Sequence, residues 1–577
     1  MNMRNIYYSI VFLFVALAIT SCKKDFLDRT PSADLDEQKV FKDPTLAIAY
    51  ADNAYNHLVD DYARFNAHRG TTAQASDEAV SGNTDVSVRT LNQGLFHDHY
   101  ERGGAQLNDI GDIWDRSYAG IRVANTMLSK MDSIPWTDAQ IQAKTPQRIT
   151  GEMYFIRSFL YFELIKRFGG VPIVAQPAGI FDNVDIPRNT YQECVEFILA
   201  DLAKAVLPDA LPDQYNASNY GRATKGAALA LKARVLLYAA SPINNTTNDL
   251  GRWTAAATAA KAVMDLNLYS LQASYNDIMN VASSPEYIMI KIRPPRVIDG
   301  FLLDFVMSPG SGGAQGSMNP TQNHVDIYEA VKKNGAGDII SSAPITDAGS
   351  GYDAQKPYDN RDPRFYANIL YNNASWQGRN MGMWSQTNGT ATTYGADFRP
   401  NNIIYSATRY YCRKMWPEVY VRNATQRALF NYIFFRYAEV LLNYAEAMNE
   451  SGDLQANRDL AITSVNEVRT RAGMPGLSAT LTQGQLRDAI VRERAVELAF
   501  EDFRWYDLIR WKKAKDVLTQ PVKGMDVIRN ANGSFTYNVI TLPALYQKKF
   551  SDHMYLYPIP RREIFKSDGI LKQNPIW

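Results

Sequence analysis

Hydrophobic positions recur at helical spacing through most of this chain. In residues 105–131, Ile113, Ser117, Ile121, Ala124 and Leu128 fall on one stripe, which predicts a helix with one buried face. Residues 147–168 carry Met153, Ile156, Phe159, Leu160 and Leu164 and are apolar nearly all round. That pattern predicts a fully buried helix, stopped by Gly169-Gly170-Val171-Pro172. A helical pattern also starts at Asp43-Pro44, where a capping side chain precedes proline at the first helical position. Further helical runs are predicted at about 189–206, 223–240 and 253–266, the last two dense in alanine, and at 430–450, 456–472 and 483–513. Cys194 lies inside one of these runs and is expected to be packed.

Between about 268 and 428 the pattern changes. Gly310-Ser311-Gly312-Gly313 and Gly349-Ser350-Gly351 mark loops, and short runs such as Tyr287-Ile288-Met289-Ile290-Lys291-Ile292 read as strands. After this stretch Tyr437-Ala438-Glu439 returns as Tyr444-Ala445-Glu446, two turns further along one helix face. Paired helices on both sides of a loop-rich stretch predict stacked helical hairpins of the tetratricopeptide kind, although no strict 34-residue period is visible. The expected fold is therefore mainly α: a helical scaffold at 37–267 and 429–577, interrupted by an insertion at 268–428 that carries short strands.

The first residues have a different character. Arg4 precedes the apolar run Ile10–Ile19, of the length of a signal-peptide core and too short to span a bilayer comfortably. Ile19-Thr20-Ser21-Cys22 follows, like a bacterial lipobox. The reading is a leader at 1–21, lipidation of Cys22, and a polar tether at 22–36. Each buried acyl CH₂ contributes about 0.8 kcal/mol, so several acyl chains hold a folded domain firmly at a membrane. The lipid would be the sole membrane attachment, because no other stretch approaches 18 consecutive apolar residues.

Composition narrows the function classes. Arg4 is the one charged residue of positions 1–21, so the remainder holds 60 basic and 60 acidic residues. No basic surplus points to nucleic acid. Two cysteines beyond Cys22 make neither a disulfide framework nor a Cys-rich metal site. The 34 tyrosines and 9 tryptophans supply flat apolar faces with polar tips.

Candidate chemistry is sparse. Glu439 with Glu446, and Glu493 with Glu497 and Glu501, share helix faces and resemble the paired carboxylates of glycosidases. Ion pairing with Arg436, Arg492, Arg494 or Arg504 is the stronger expectation, because a packed helical ladder is not a cleft. His97 and His99 would face one way only on a strand, with no third ligand nearby. Asp359-Asn360-Arg361-Asp362 lacks an EF-hand pattern and is expected to pair with Arg361 and Arg364. No phosphate loop, nucleophile elbow or dinucleotide fingerprint is present. No cofactor, metal or enzymatic activity is expected.

Several strings, in order, resemble one family. They include Asp25-Phe26-Leu27-Asp28, Trp114-Asp115-Arg116-Ser117-Tyr118-Ala119-Gly120-Ile121, Phe168-Gly169-Gly170-Val171-Pro172 and Gly221-Arg222-Ala223-Thr224-Lys225-Gly226. Asn360-Arg361-Asp362-Pro363-Arg364, Arg436-Tyr437-Ala438-Glu439, Asn466-Glu467-Val468-Arg469, Arg492-Glu493-Arg494, Tyr557-Pro558-Ile559-Pro560 and Gln573-Asn574-Pro575 continue the set to the C-terminus. Together they resemble the SusD/RagB-like outer-membrane nutrient-binding lipoproteins. Ser406-Ala407-Thr408-Arg409-Tyr410-Tyr411 departs from the family's Thr-Gly-Tyr, and Pro575-Ile576-Trp577 from its common Pro-Gly-Tyr.

The resemblance implies four tetratricopeptide-like units and display on the outer-membrane surface. It also implies capture of an oligosaccharide, or a peptide in some members, for a SusC-like TonB-dependent transporter. A surface glycoside hydrolase and a tetratricopeptide scaffold that binds only proteins are the alternatives from other classes. Ligand contacts are expected on loop aromatics and their polar neighbours. Those before the Trp114 motif are Tyr62, Phe65, Arg69, Asp77, Phe96 and Tyr100, and those in the insertion are Trp376, Trp384 and Tyr394.

Overall fold

The computed structural model describes residues 37–577 apart from 60–62, 67–69, 83–86, 96–107, 178–185, 293–305, 307, 313–315, 420–428 and 430. Helices dominate. In chain order the long ones are α1 (Pro44–Asn53), α2 (Asn108–Lys130), α3 (Thr145–Phe168), α4 (Tyr191–Ala205), α5 (Lys225–Ala240) and α6 (Leu250–Met264). After the insertion come α7 (Tyr437–Glu450), α8 (Gln455–Arg471), α9 (Gln483–Glu497) and the shorter α10 (Arg504–Arg510).

Local chemistry sets the ends of these helices. Asp43 caps α1 by accepting from the Thr45 amide, with Pro44 behind it. Thr190 and Glu193 form a capping box on α4, as do Thr482 and Gln485 on α9. Gly169 closes α3 at φ +72°, a conformation that carries no steric penalty for glycine.

The helices stack in sequence order. α2 packs on α3, α3 on α4, α4 on α5 and α5 on α6. α6 then packs directly on α7, which leads to α8 and α9. The ladder therefore resumes across the insertion as if uninterrupted, and the family of tetratricopeptide-like helical scaffolds is the right fold class. One large core runs through it, with the rings of Phe155, Phe159, Phe162 and Phe434 buried.

A second core lies under the insertion and includes Phe365, Met383, Tyr410, Tyr411, Trp376 and Trp416. Short strands enclose it. β1 (Ala79–Ser81) pairs antiparallel with β3 (Met318–Pro320), and β2 (Tyr287–Lys291) with β6 (Tyr432–Arg436). β4 (Ser385–Asn388) and β5 (Ala391–Tyr394) form a hairpin that joins β7 (Lys523–Arg529) and β8 (Phe535–Thr541), in the order β5-β4-β7-β8.

Two predicted helices are corrected. The run at 430–450 begins as strand β6, because Tyr432-Ile433-Phe434-Phe435 pairs with β2 before the helix starts at Tyr437. The run at 483–513 breaks after Glu497, where Phe500 and Asp502 adopt φ of +64° and +67°.

Candidate binding face

The glutamates that drew attention as possible acid/base pairs are all buried and all ion-paired. Glu439 is held by Arg234 of α5 at 2.6 Å and Glu446 by Arg510 at 2.6 Å. Glu497 accepts from Arg436 at 2.7 Å and Arg364 at 3.2 Å, and also pairs with Arg471. Glu501 is held by Arg436 at 2.8 Å and Lys414 at 2.5 Å, and Glu493 by Arg364 and by Arg469 at 3.1 Å. Burial alone would raise Glu497 and Glu501, but the surrounding guanidinium groups outweigh it and hold both below the ordinary carboxylate range. Glu497 and Glu501 are therefore charged struts, with no proton to exchange near neutral pH. Arg361 corrects one expectation: it makes no pair with Asp359 or Asp362 but donates to the carbonyls of Pro357, Val325 and Tyr328 at 2.6–2.8 Å. Asp362 pairs with Arg364 at 2.8 Å. Among the described residues no group of three His, Cys, Asp or Glu side chains is placed to hold a metal; His97 and His99 lie outside them.

The break after α9 positions the segment that feeds the outer face. The Phe500 amide donates to Glu78 at 2.8 Å, Thr72 bonds Asp502, and Arg504 grips Asp77 at 2.8 and 2.9 Å. Beneath the same segment, buried Lys548 donates to the carbonyls of Gln74 at 2.8 Å and Ala79 at 2.9 Å and to that of Ser76. Burial pushes Glu78 up to about 8 and Lys548 down to about 7. β1 is thus anchored from below, and the buried Gly82 that follows it packs against the carbonyls of Ile403 and Tyr405.

There the structure builds a ledge of rings and cations. The Arg399 guanidinium lies 5.8 Å from both the Tyr394 and Tyr405 ring centres, and Tyr394 meets Phe398 edge to face at 5.9 Å. Arg399 also donates to the carbonyls of Gly395 and Phe398 at 2.6 Å, which fixes its plane. Tyr394 and Tyr405 are half-buried and Arg399 is exposed.

The base of this ledge is rigid. Asp397, fully buried, accepts from both terminal nitrogens of Arg379 at 2.7 Å, from the Gly382 amide at 2.8 Å, and from Ser308. Tyr411 donates its hydroxyl to the Asp397 carbonyl at 2.9 Å. Gly395 passes so close to Gly382 that a side-chain carbon would sit 2.2 Å from the Gly382 carbonyl oxygen. Two half-exposed tyrosine rings and a fixed cation beside a hydrogen-bonded base can receive a ligand that has apolar faces and hydroxyl groups.

Of the residues expected to touch ligand, Tyr394 stands on the ledge. Trp384 lies at the foot of the same hairpin, half-buried, with Arg529 4.9 Å from its ring centre. Two expectations need correction. Trp376 is 1% exposed: it packs edge to face on Trp416 at 5.2 Å under Arg413, so it presents no face to a ligand. Asp77 turns inward to Arg504, with both carboxylate oxygens engaged. Phe65 lies on the short strand Ala63–Asn66 with its side chain outside the described residues, as are Tyr62, Arg69, Phe96, Tyr100 and Cys22. Phe398, Arg399 and Tyr405 were missed by the sequence reading. Phe398-Arg399-Pro400-Asn401-Asn402 carries the same signal, an aromatic and a cation beside turn residues, four positions past Tyr394.

Comparison with known proteins places this architecture. The SusD family model matches residues 271–577, and a second model, described as starch-binding associating with outer membrane, matches residues 25–237. The chain belongs to the SusD family. A SusD-like protein of Formosa agariphila, P2, is 24% identical to it over 98% of this chain and 99% of the relative. The crystal structure of a SusD-like protein of Bacteroides fragilis superposes with a TM-score of 0.74 at 26% identity, covering 95% of this chain and all of that one. A SusD-like carbohydrate-binding protein from the same species gives 0.72 at 21% identity, covering 92% and 99%. The second model describes proteins that associate with the outer membrane, and among the described residues no helix is long and apolar enough to cross a membrane.

Proposed function

We propose that this protein captures an oligosaccharide on the ledge of Tyr394, Phe398, Arg399 and Tyr405 and passes it to a SusC-like, TonB-dependent transporter. The observation that carries the reading is that ledge: the half-exposed rings of Tyr394 and Tyr405 and the exposed Arg399 guanidinium, held by the Gly395 and Phe398 carbonyls and backed by the buried Phe398. Pyranose rings have an apolar C–H face suited to the tyrosines, and Arg399, Asn401 and Asn402 are placed to take hydroxyls. The starch-binding description of the model that matches residues 25–237, and the carbohydrate-binding relative in Bacteroides fragilis, support a glycan over a peptide. The reading is binding without cleavage, because the candidate carboxylates are consumed as structural ion pairs.

Lipidation of Cys22 completes the proposal. A tether at 22–36 would hold the scaffold at the outer-membrane surface as a lid, at high effective concentration over its transporter. The net charge beyond the leader is zero and gives no sign of long-range electrostatic steering toward the partner. Retention of the purified protein, residues 23–577, in native gels cast with single polysaccharides tests the binding. At least one neutral polysaccharide should slow it, and free migration in all of them would defeat the reading. Mild detergent extraction should co-purify a TonB-dependent barrel near stoichiometric amounts; recovery of this chain alone from membranes containing the barrel would remove the partnership.

A further inference from the structure

Away from the ledge, a groove follows strand β2 where the helical scaffold meets the insertion. It has two lobes, of about 260 and 290 Å³, and Tyr220, Gly221 and Arg222 border both. Gly221 has φ +94°, and a side-chain carbon there would lie 3.3 Å from the Ile290 carbonyl oxygen. This close approach blocks an extended peptide from lying along β2, because it would have to pass between Gly221 and Ile290. What remains is a pair of short compartments.

The 260 Å³ lobe is walled by tyrosines that are already fixed in place. Tyr220 packs against the core under the insertion. Tyr269 packs on the scaffold core and rests against Gly226, where a side-chain carbon would fall 2.0 Å from its hydroxyl oxygen. Tyr215 donates to Glu152 at 3.3 Å. All three rings are half-buried, so each keeps part of its surface open. Fixed rings lose little conformational entropy when a ligand arrives.

Charge decides the ligand class. Arg222, the one cation among the described residues lining the 260 Å³ lobe, is engaged by Asp52 at 2.7 Å and by Glu152 at 3.3 Å, and nearby Lys225 faces Asp213 at 3.9 Å. An anionic ligand would meet carboxylates and cations that are already paired. Gln214, Thr224 and Ser284 add neutral donors and acceptors to the wall. The lobe falls just below the size range of drug-sized ligand pockets, which sets the guest at one or two sugar rings.

We propose that this lobe is a second saccharide site, separate from the ledge, that takes one or two pyranose rings of a neutral sugar. The inference rests on the reading that the protein's ligand is a glycan. The test uses saturation-transfer NMR on residues 23–577 with four probes: maltose, cellobiose, laminaribiose and mannobiose. A Tyr394→Ala/Arg399→Ala background removes the ledge. That background protein should still give transfer from at least one disaccharide. Adding Tyr220→Ala should reduce the signal at least fivefold, and so should adding the milder Gln214→Ala at an exposed position, with thermal melts confirming a folded chain. No transfer to the background protein, or transfer that both added substitutions leave unchanged, would overturn the second site. Because the wild type is assayed separately for polysaccharide retention, loss of the groove signal with retention intact indicts the groove alone, and loss of retention indicts the glycan reading.

Discussion

Replacing Glu497 by Gln tests whether the buried charges between scaffold and insertion are structural struts. Glu497 is fully buried and accepts from Arg436 at 2.7 Å and Arg364 at 3.2 Å, with Arg471 as a third partner. Removing one member of a buried pair costs roughly 3–5 kcal/mol, because the partner charge stays buried. Here each arginine keeps another anion: Arg436 keeps Glu286 and Glu501, Arg364 keeps Asp362 and Glu493, and Arg471 keeps Glu286. The expected loss is therefore at the lower end, about 3 kcal/mol. Unfolding entropy of about 2 cal/mol/K per residue over a chain of this length turns that into a fall of about 2–3 °C in Tm. Denaturant titration resolves the free energy better, as a lowered midpoint at unchanged slope.

The pH dependence sharpens the test. Glu497 is held below its ordinary value in the folded state, so its contribution is complete above the unfolded carboxylate range, near 4.5. It is lost only as pH falls below that toward the depressed folded value. The gap between wild type and Glu497→Gln should accordingly be the same at pH 7 and pH 5.5. A gap under about 1 kcal/mol, or one that closes by pH 5.5, would show that the carboxylate is not an ionised strut.

Other outcomes follow from the same structure. Glu78→Gln keeps an acceptor for the Phe500 amide and removes a group that burial pushes up to about 8; because the unfolded chain releases this proton near pH 4.5, wild-type stability falls between about 4.5 and 8, and the variant should gain on wild type across that window in denaturant titrations at pH 5 and pH 8.5. Lys548→Met strips the donor from three buried carbonyls, each worth about 1–3 kcal/mol when left unsatisfied, so limited proteolysis should cut the 82–107 region sooner than in wild type; an unchanged digestion pattern would remove Lys548 as the anchor of β1. Tyr394→Ala with Arg399→Ala should weaken glycan binding at least tenfold by calorimetry, while Trp376→Phe should leave affinity unchanged because that ring is buried. Cys22→Ser should move the protein from membrane to soluble fractions, and mass spectrometry should find acyl chains on wild type alone.

The helical scaffold was legible because its information is local. α3 announces itself by being apolar nearly all round, and α4 and α9 by a Thr followed three residues later by Glu or Gln. Where distant partners decide, the sequence pattern misled. Tyr432–Arg436 becomes a strand because β2, about 145 positions earlier, offers an edge. The helix after Gln483 breaks because Phe500 and Asp502 are drawn to Glu78 and Thr72, more than 420 positions away. The β7–β8 hairpin was not foreseen, and its contact with Ser385 exists only in the folded chain. At the candidate face, the surroundings of Trp376 gave no sign that Trp416 and Arg413 would cover its ring. Asp77 likewise carried no local mark of its pairing with Arg504. Tyr394 was readable as an aromatic in a turn-rich hairpin, but its grouping with Phe398, Arg399 and Tyr405 depends on how Asp397 folds the segment.

The central claim is that the protein binds a glycan at the ledge and leaves it intact. The most direct measurement is calorimetric titration of residues 23–577 with the polysaccharide retained in gels, paired with mass analysis of the sugar after prolonged incubation. Saturable binding that Tyr394→Ala/Arg399→Ala weakens at least tenfold, with the polysaccharide recovered at its original length, is the predicted result. Shortened chains in the incubation, or affinity indifferent to the ledge substitutions, would contradict it.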